Sequence, residues 1–229
     1  NTSYDASVVV DEKHKYLVGI KSFGLNSGDQ KIAQFKKDSQ SWNELLSEIT
    51  FYAEISPDKE SADRENYERY EKLARKIATL RNQRIESSKA LIKGFKSDST
   101  YVEAVYHVLM PTPKGSVPQI HVGETSYLPV DLDNLQIKGS TNLKNPTNFR
   151  FTDGHHDYKY TAADSQLHMT FRNKEIVVDT WDVNYVEDPF YLFEHLHLLT
   201  SEKSDSEILE TVSWVITDKQ DRKSTRLNS

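Results

Sequence analysis

Apolar and polar positions change rhythm twice along the chain. Residues 6–10 (Ala-Ser-Val-Val-Val) and 16–23 (Tyr-Leu-Val-Gly-Ile-Lys-Ser-Phe) are rich in β-branched and aromatic residues, and they flank the charged stretch "DEKHK". That pattern predicts a hairpin. "GLNSGD" then reads as a loop, with Ser27 or Asp29 as N-cap of a helix from near Gln30 in which Ile32 and Phe35 share a face. The expected opening unit is therefore strand–turn–strand–helix. A second helix is predicted from about Ser41 to Ile55, and a third, long one from Ser61 to about Phe95, after the break at "SPDKE". Tyr67, Tyr70, Leu73, Ala74, Ile77 and Leu80 recur at helical spacing and predict its buried stripe. Lys72, Arg75, Lys76, Arg81 and Arg84 fall off that stripe. They read as a solvated face laced with Glu–Lys/Arg pairs, or else as a surface facing phosphates.

From Tyr101 the period shortens. "YVEAVYHVLM", "QIHVGETSYLPV", "NLQIKG", "NFRFTDG", "YKYTAADSQLHMTF" and "EIVVDTWDVNYV" are short runs separated by Pro, Gly, Asn and Asp, the signature of an antiparallel sheet. "DPFYLFEHLHLL" then predicts a short helix and "ETVSWVIT" a last strand. The fold class is α/β (α+β). An α/β part with long helices over 1–98 is followed by a β-rich part over 99–220, and the polar stretch 221–229 reads as a tail or cloning scar. The start at Asn1, directly at a strand, reads as a fragment missing its natural N-terminus.

Composition narrows the class. The chain has 229 residues, no cysteine, 12 Tyr and 9 Phe, enough for a real core and inconsistent with a disordered chain. Without cysteine there is neither a disulfide framework nor a thiolate metal site, which fits a cytoplasmic protein. No apolar run approaches the ~20 residues that cross a membrane. The net charge of −6 is unevenly spread: residues 1–96 carry 17 Lys and Arg against 15 Asp and Glu, and the remainder 12 against 20. An acidic total weakens a nucleic-acid reading without removing it, because binding depends on a local basic face.

Lys21 lies inside the apolar second strand of the hairpin, and Asp5 stands ahead of the first. With the turn centred on Glu12–Lys13, Asp5 falls across from Ile20, and Gly19 and Lys21 share one face of the strand. A carboxylate and an ammonium at one end of a strand pair suit divalent-metal phosphodiester chemistry. Mg²⁺ takes oxygen ligands, here Asp5 and the Ile20 carbonyl, and Lys21 would serve the attacking water.

The motif "D…LVGIKS" resembles the pattern of an acidic residue, a spacer, then acidic–x–Lys that characterises type II restriction endonucleases of the PD-(D/E)xK nuclease superfamily. "FGLNSGDQKIAQFK" resembles those enzymes too, and "NFRFTDGHHDYKYTAADSQLHMTF" does so more weakly. The resemblance implies a restriction-endonuclease-like core of mixed sheet flanked by helices. It also implies Mg²⁺-dependent hydrolysis of double-stranded DNA leaving 5′-phosphates, a homodimer on a palindromic site, and DNA recognition by the β-rich part. Gly19 departs from the pattern, since an acidic residue belongs two before the lysine. Gln30 and Gln34 are the nearest downstream substitutes, with Gln34 taken as the catalytic one, and an upstream Glu is the alternative. A non-catalytic DNA- or protein-binding relative is the competing reading.

Other constellations are weaker. "DGHHD" reads as a turn with solvated histidines, since neighbouring residues on a strand point to opposite faces; His155 and His156 become candidates for a DNA groove. Lys31, Lys36, Arg150, Ser165 and Gln166 are further candidate DNA contacts. His195 and His197, at i and i+2, are poorly spaced for one helical metal site. There is no Gly-rich phosphate loop and no G-x-S-x-G elbow.

Overall fold

A computed structural model describes residues 4–11, 13–93, 101–183 and 187–188. The expected helix at 189–199, the last strand, His195, His197 and the polar tail lie outside the described residues. The hairpin is present: β1 (Ala6–Val9) pairs antiparallel with β2 (His14–Ser22). Its register is one residue off the expected one. Ala6 faces Val18 and Val9 faces Lys15, because Asp11 rather than Glu12–Lys13 organises the turn. The Asp11 carboxylate accepts from the Lys13 and His14 amides at 2.7 and 2.8 Å.

The expected helix at Gln30 is instead a strand, β3 (Gln30–Gln34). Five residues cannot nucleate a helix alone, and this segment gains a ladder by pairing antiparallel with β9 (Gln166–Met169). Asp29 caps nothing; its carboxylate accepts from Arg150 and Thr170. Phe35, just beyond β3, is fully buried edge-to-face against Trp42.

Three helices follow: α1 (Asn43–Ile55), α2 (Lys59–Glu65) and α3 (Tyr67–Lys93). Asp58 caps α2, accepting from the Ser61 amide at 2.8 Å. The expected long helix is thus two, divided at buried Asn66, whose side-chain amide donates to the Ile49 carbonyl at 3.0 Å. On α3 the predicted stripe is buried at Tyr70, Leu73, Ala74 and Ile77, but Tyr67 is exposed and Arg81 is buried. Arg81 continues the spacing through Tyr70, Ala74 and Ile77 to Ile85, so position overrides its charge.

The rest is strand: β4 (Tyr101–Pro111), β5 (Gln119–Ser126), β6 (Gln136–Ser140), β7 (Phe149–Thr152), β8 (Asp157–Thr161), β9 and β10 (Val177–Asp182). They form two five-stranded sheets, β1-β2-β4-β5-β10 and β3-β9-β8-β7-β6. The change of texture near residue 98 is therefore not a domain boundary. β4 runs parallel to β2 in the first sheet and β3 belongs to the second, so both halves of the chain are interleaved in one unit through residue 183. The parallel β2–β4 pair needs a long crossover, which the helices supply. α3 touches β4 of one sheet and β6 of the other. Tyr70 stacks on Phe149 at 4.9 Å, and Phe171 joins Tyr106 and Phe23 at 5.0 and 5.3 Å.

Candidate metal and phosphate site at the open end of the hairpin

Asp5 is the last rung of the β1–β2 ladder. Its amide donates to the Val18 carbonyl at 3.0 Å, and its carboxylate accepts from the Ile20 amide at 2.8 Å. The side chain thereby replaces the strand partner that β1 no longer provides. A strand residue's N–H and C=O point to the same edge, so the Ile20 carbonyl faces the edge that Asp5 occupies. Beside Asp5 a pocket is lined by Tyr4, Ala6, Ser7, Leu17 and the α3 residues Ser88, Leu91 and Ile92.

Lys21 follows on β2, half-buried between Gly19 and Phe23 on the face that carries Leu17. Among the described residues it has no ion-pair partner. Asp5 and Ile20 thus meet at one strand end, in a register one residue from the expected one, and Lys21 is the next residue of β2.

Gly19 is a different matter. A Cβ there would lie 3.0 Å from Tyr106 Cδ1 and 3.7 Å from Tyr127 Cε2. The two tyrosine rings pack with centroids 4.0 Å apart, and Tyr4 adds a third ring 5.1 Å from Tyr127. Behind them the Arg81 guanidinium lies 4.7 Å from the Tyr127 centroid and donates to the Leu128 carbonyl at 2.8 Å. Burial opposes the charge on Arg81, but the surrounding Tyr106, Tyr127 and Tyr158 outweigh it and hold the group protonated. Among the described residues the buried Tyr4 hydroxyl has no hydrogen-bond partner. Where the motif expects a second carboxylate, the chain has a buried Arg–Tyr cluster. Sequence reading missed it because Arg81 looked like part of a solvated face.

The chain matches no family model, no curated protein and no solved structure. Among the described residues no group of three His, Cys, Asp or Glu could hold a metal ion. The oxygen donors at the hairpin end are one carboxylate and one carbonyl. That set fits Mg²⁺, which retains several waters and is held by one or two carboxylates plus substrate phosphates.

The remaining candidates scatter. Gln34 lies in the other sheet, its side-chain amide donating to the Asp164 carbonyl at 3.0 Å. It is therefore a strand-edge residue rather than a partner of Lys21. Gln30 starts the same strand. Ser165 is buried, with its hydroxyl 2.9 Å from Tyr160 Oη, so it holds a turn and offers nothing to DNA. Asp153 builds the "DGHHD" turn by accepting from the His155 and His156 amides at 3.0 and 2.8 Å. His155 is exposed. His156 is not solvated as expected: it is half-buried, and burial lowers its pKa. Lys36 is exposed just after β3. Lys31, Arg150 and Gln166 lie on one face of the second sheet.

Proposed function

We propose that this protein is a metal-dependent endonuclease that hydrolyses phosphodiester bonds of double-stranded DNA. The observation that carries the reading is the Asp5 carboxylate bonded to the Ile20 amide, with the Ile20 carbonyl on the same strand edge and Lys21 as the next residue of β2. The parallel β2–β4 pair reached through helices supports it as well. Asp5 and the Ile20 carbonyl would hold Mg²⁺, which when bound polarises the phosphate and lowers the pKa of a bound water. Lys21 orients the attacking water and offsets the charge that develops on the phosphoryl oxygens. Water oxygen bonds to phosphorus, the bond to the 3′ oxygen breaks, and the products are a 5′-phosphate and a 3′-hydroxyl. A cytoplasmic homodimer on a palindromic site belongs to the same proposal.

The test is cleavage of supercoiled plasmid by the full chain with Mg²⁺, alongside Asp5→Ala and Lys21→Ala. Both substitutions are expected to reduce the rate at least 100-fold, the scale of losing a positioned catalytic group, with circular dichroism unchanged. Cleavage that survives both removes the assignment. One observation favours a second reading, a DNA-binding relative that does not cut: Tyr106 fills the space a side chain at position 19 would need. That reading expects retained DNA binding with no cleavage under any divalent metal.

A further inference from the structure

The antiparallel ladders of the second sheet align four basic side chains in one row. Lys31 of β3 faces His168 of β9, His168 faces Lys159 of β8, and Lys159 faces Arg150 of β7. Their strand neighbours Leu167, Met169, Tyr158, Tyr160, Phe149 and Phe151 are buried. The row therefore stands on the opposite, outer face, crossing four strands at ~4.8 Å each. Lys159 and Arg150 are directly opposed like charges, which destabilise a sheet and ask for a counter-charge.

The chain supplies only part of one. Asp29 accepts from Arg150 and Thr170, and its charge also acts on Lys159 and His168 of the row. Asp157 lies on the same face, two residues before Lys159. Among the described residues Lys31 and Lys159 have no ion-pair partner, and buried His168 Nδ1 has no hydrogen-bond partner. The adjacent row on this face is polar and uncharged: Gln34 faces Gln166, and Gln166 faces Thr161.

We infer that this outer face is a phosphate-backbone contact surface for duplex DNA, with Lys31, Lys159 and Arg150 as its cationic track and His168 as a neutral ring between Lys31 and Lys159. The inference deepens the nuclease reading and rests on it for the choice of duplex DNA over other polyanions. A row of cations is matched by a row of phosphates, whereas a single bound ion would engage one rung. The Gln34–Gln166–Thr161 row supplies neutral donors beside the track, the usual company of backbone contacts. Asp29 limits the track by occupying Arg150.

The experiment is fluorescence-anisotropy titration of the full chain with a labelled duplex oligonucleotide in Ca²⁺ over a range of salt, beside the plasmid-cleavage assay in Mg²⁺. Each phosphate contact contributes about 0.9 to the slope of log K against log salt. The double variant Lys31→Gln/Lys159→Gln is expected to lower the slope by about 2 and weaken binding at least tenfold at moderate salt. Asp29→Asn is expected to tighten binding by freeing Arg150. An unchanged slope in the double variant overturns the inference even if the plasmid is cut. A reduced slope without any cleavage keeps the inference and removes the nuclease reading. No duplex binding, or equal binding to poly-glutamate with the same salt slope, overturns it. A melting temperature matching the parent protein shows that the variants are folded.

Discussion

At Gly19 a missing side chain has a packing cause. Tyr106 Cδ1 stands 3.0 Å from where a Cβ would go, and that ring is held by Tyr127 and Phe171 and is 1% exposed. The ring cannot retreat, so Gly19→Ala should destabilise the fold by about 1–2 kcal/mol despite the entropy it removes from the unfolded chain. A lower urea midpoint at constant m-value is the readout. His156 and His168 carry a second prediction. Burial is the largest cause lowering both pKa values below 6.5, so near that pH the unfolded chain binds more protons than the folded one. Stability should therefore fall as pH drops from 7 toward 5, and His156→Gln/His168→Gln should flatten that dependence in thermal melts.

Among the elements, β3 shows how pairing overrides local pattern. "QKIAQFKK" has helical spacing at Ile32 and Phe35, yet the segment pairs with β9, and the Phe35 amide donates to the Ser165 carbonyl at 2.8 Å. Phe35 then fills the gap beside Trp42, with the Arg84 guanidinium 4.5 Å from its ring centroid. Phe35→Ala should cost about 3–5 kcal/mol, the scale for emptying an aromatic core site, read by chemical denaturation. The α3 stripe teaches the same lesson from the other side. Its period was legible from Tyr70 to Ile77, but the next member of the series, Arg81, is charged. The tyrosines around it and the Leu128 carbonyl that accepts from it accommodate its burial.

On the scale of the whole molecule, a net charge of −6 coexists with an aligned row of cations on one sheet face. That row is invisible in sequence because its members come from residues 31, 150, 159 and 168 and meet only through register. The fold class was legible, since alternating strands and long amphipathic helices have distinct periods. The division near residue 98 was not, because local texture carries no information about which strands pair. Among the described residues no helix is long and apolar enough to cross a membrane. The interleaving of both halves predicts one cooperative unfolding transition for residues up to 183, with fluorescence and circular dichroism coincident. Separate transitions for the two sheets would contradict it.

The sequence by itself determined the hairpin, the helices beyond Ser41, the short strands from Tyr101 onward and the meeting of Asp5 with Ile20. These follow from local period and from the fixed geometry of a two-stranded ladder. Only the tertiary structure decided that Gln30–Gln34 is a strand, that Arg81 is buried, that position 19 has no room for a carboxylate and that three distant cations and a histidine share one row. Each of those depends on contacts between residues far apart in the chain, where pairing and packing energies exceed local preference.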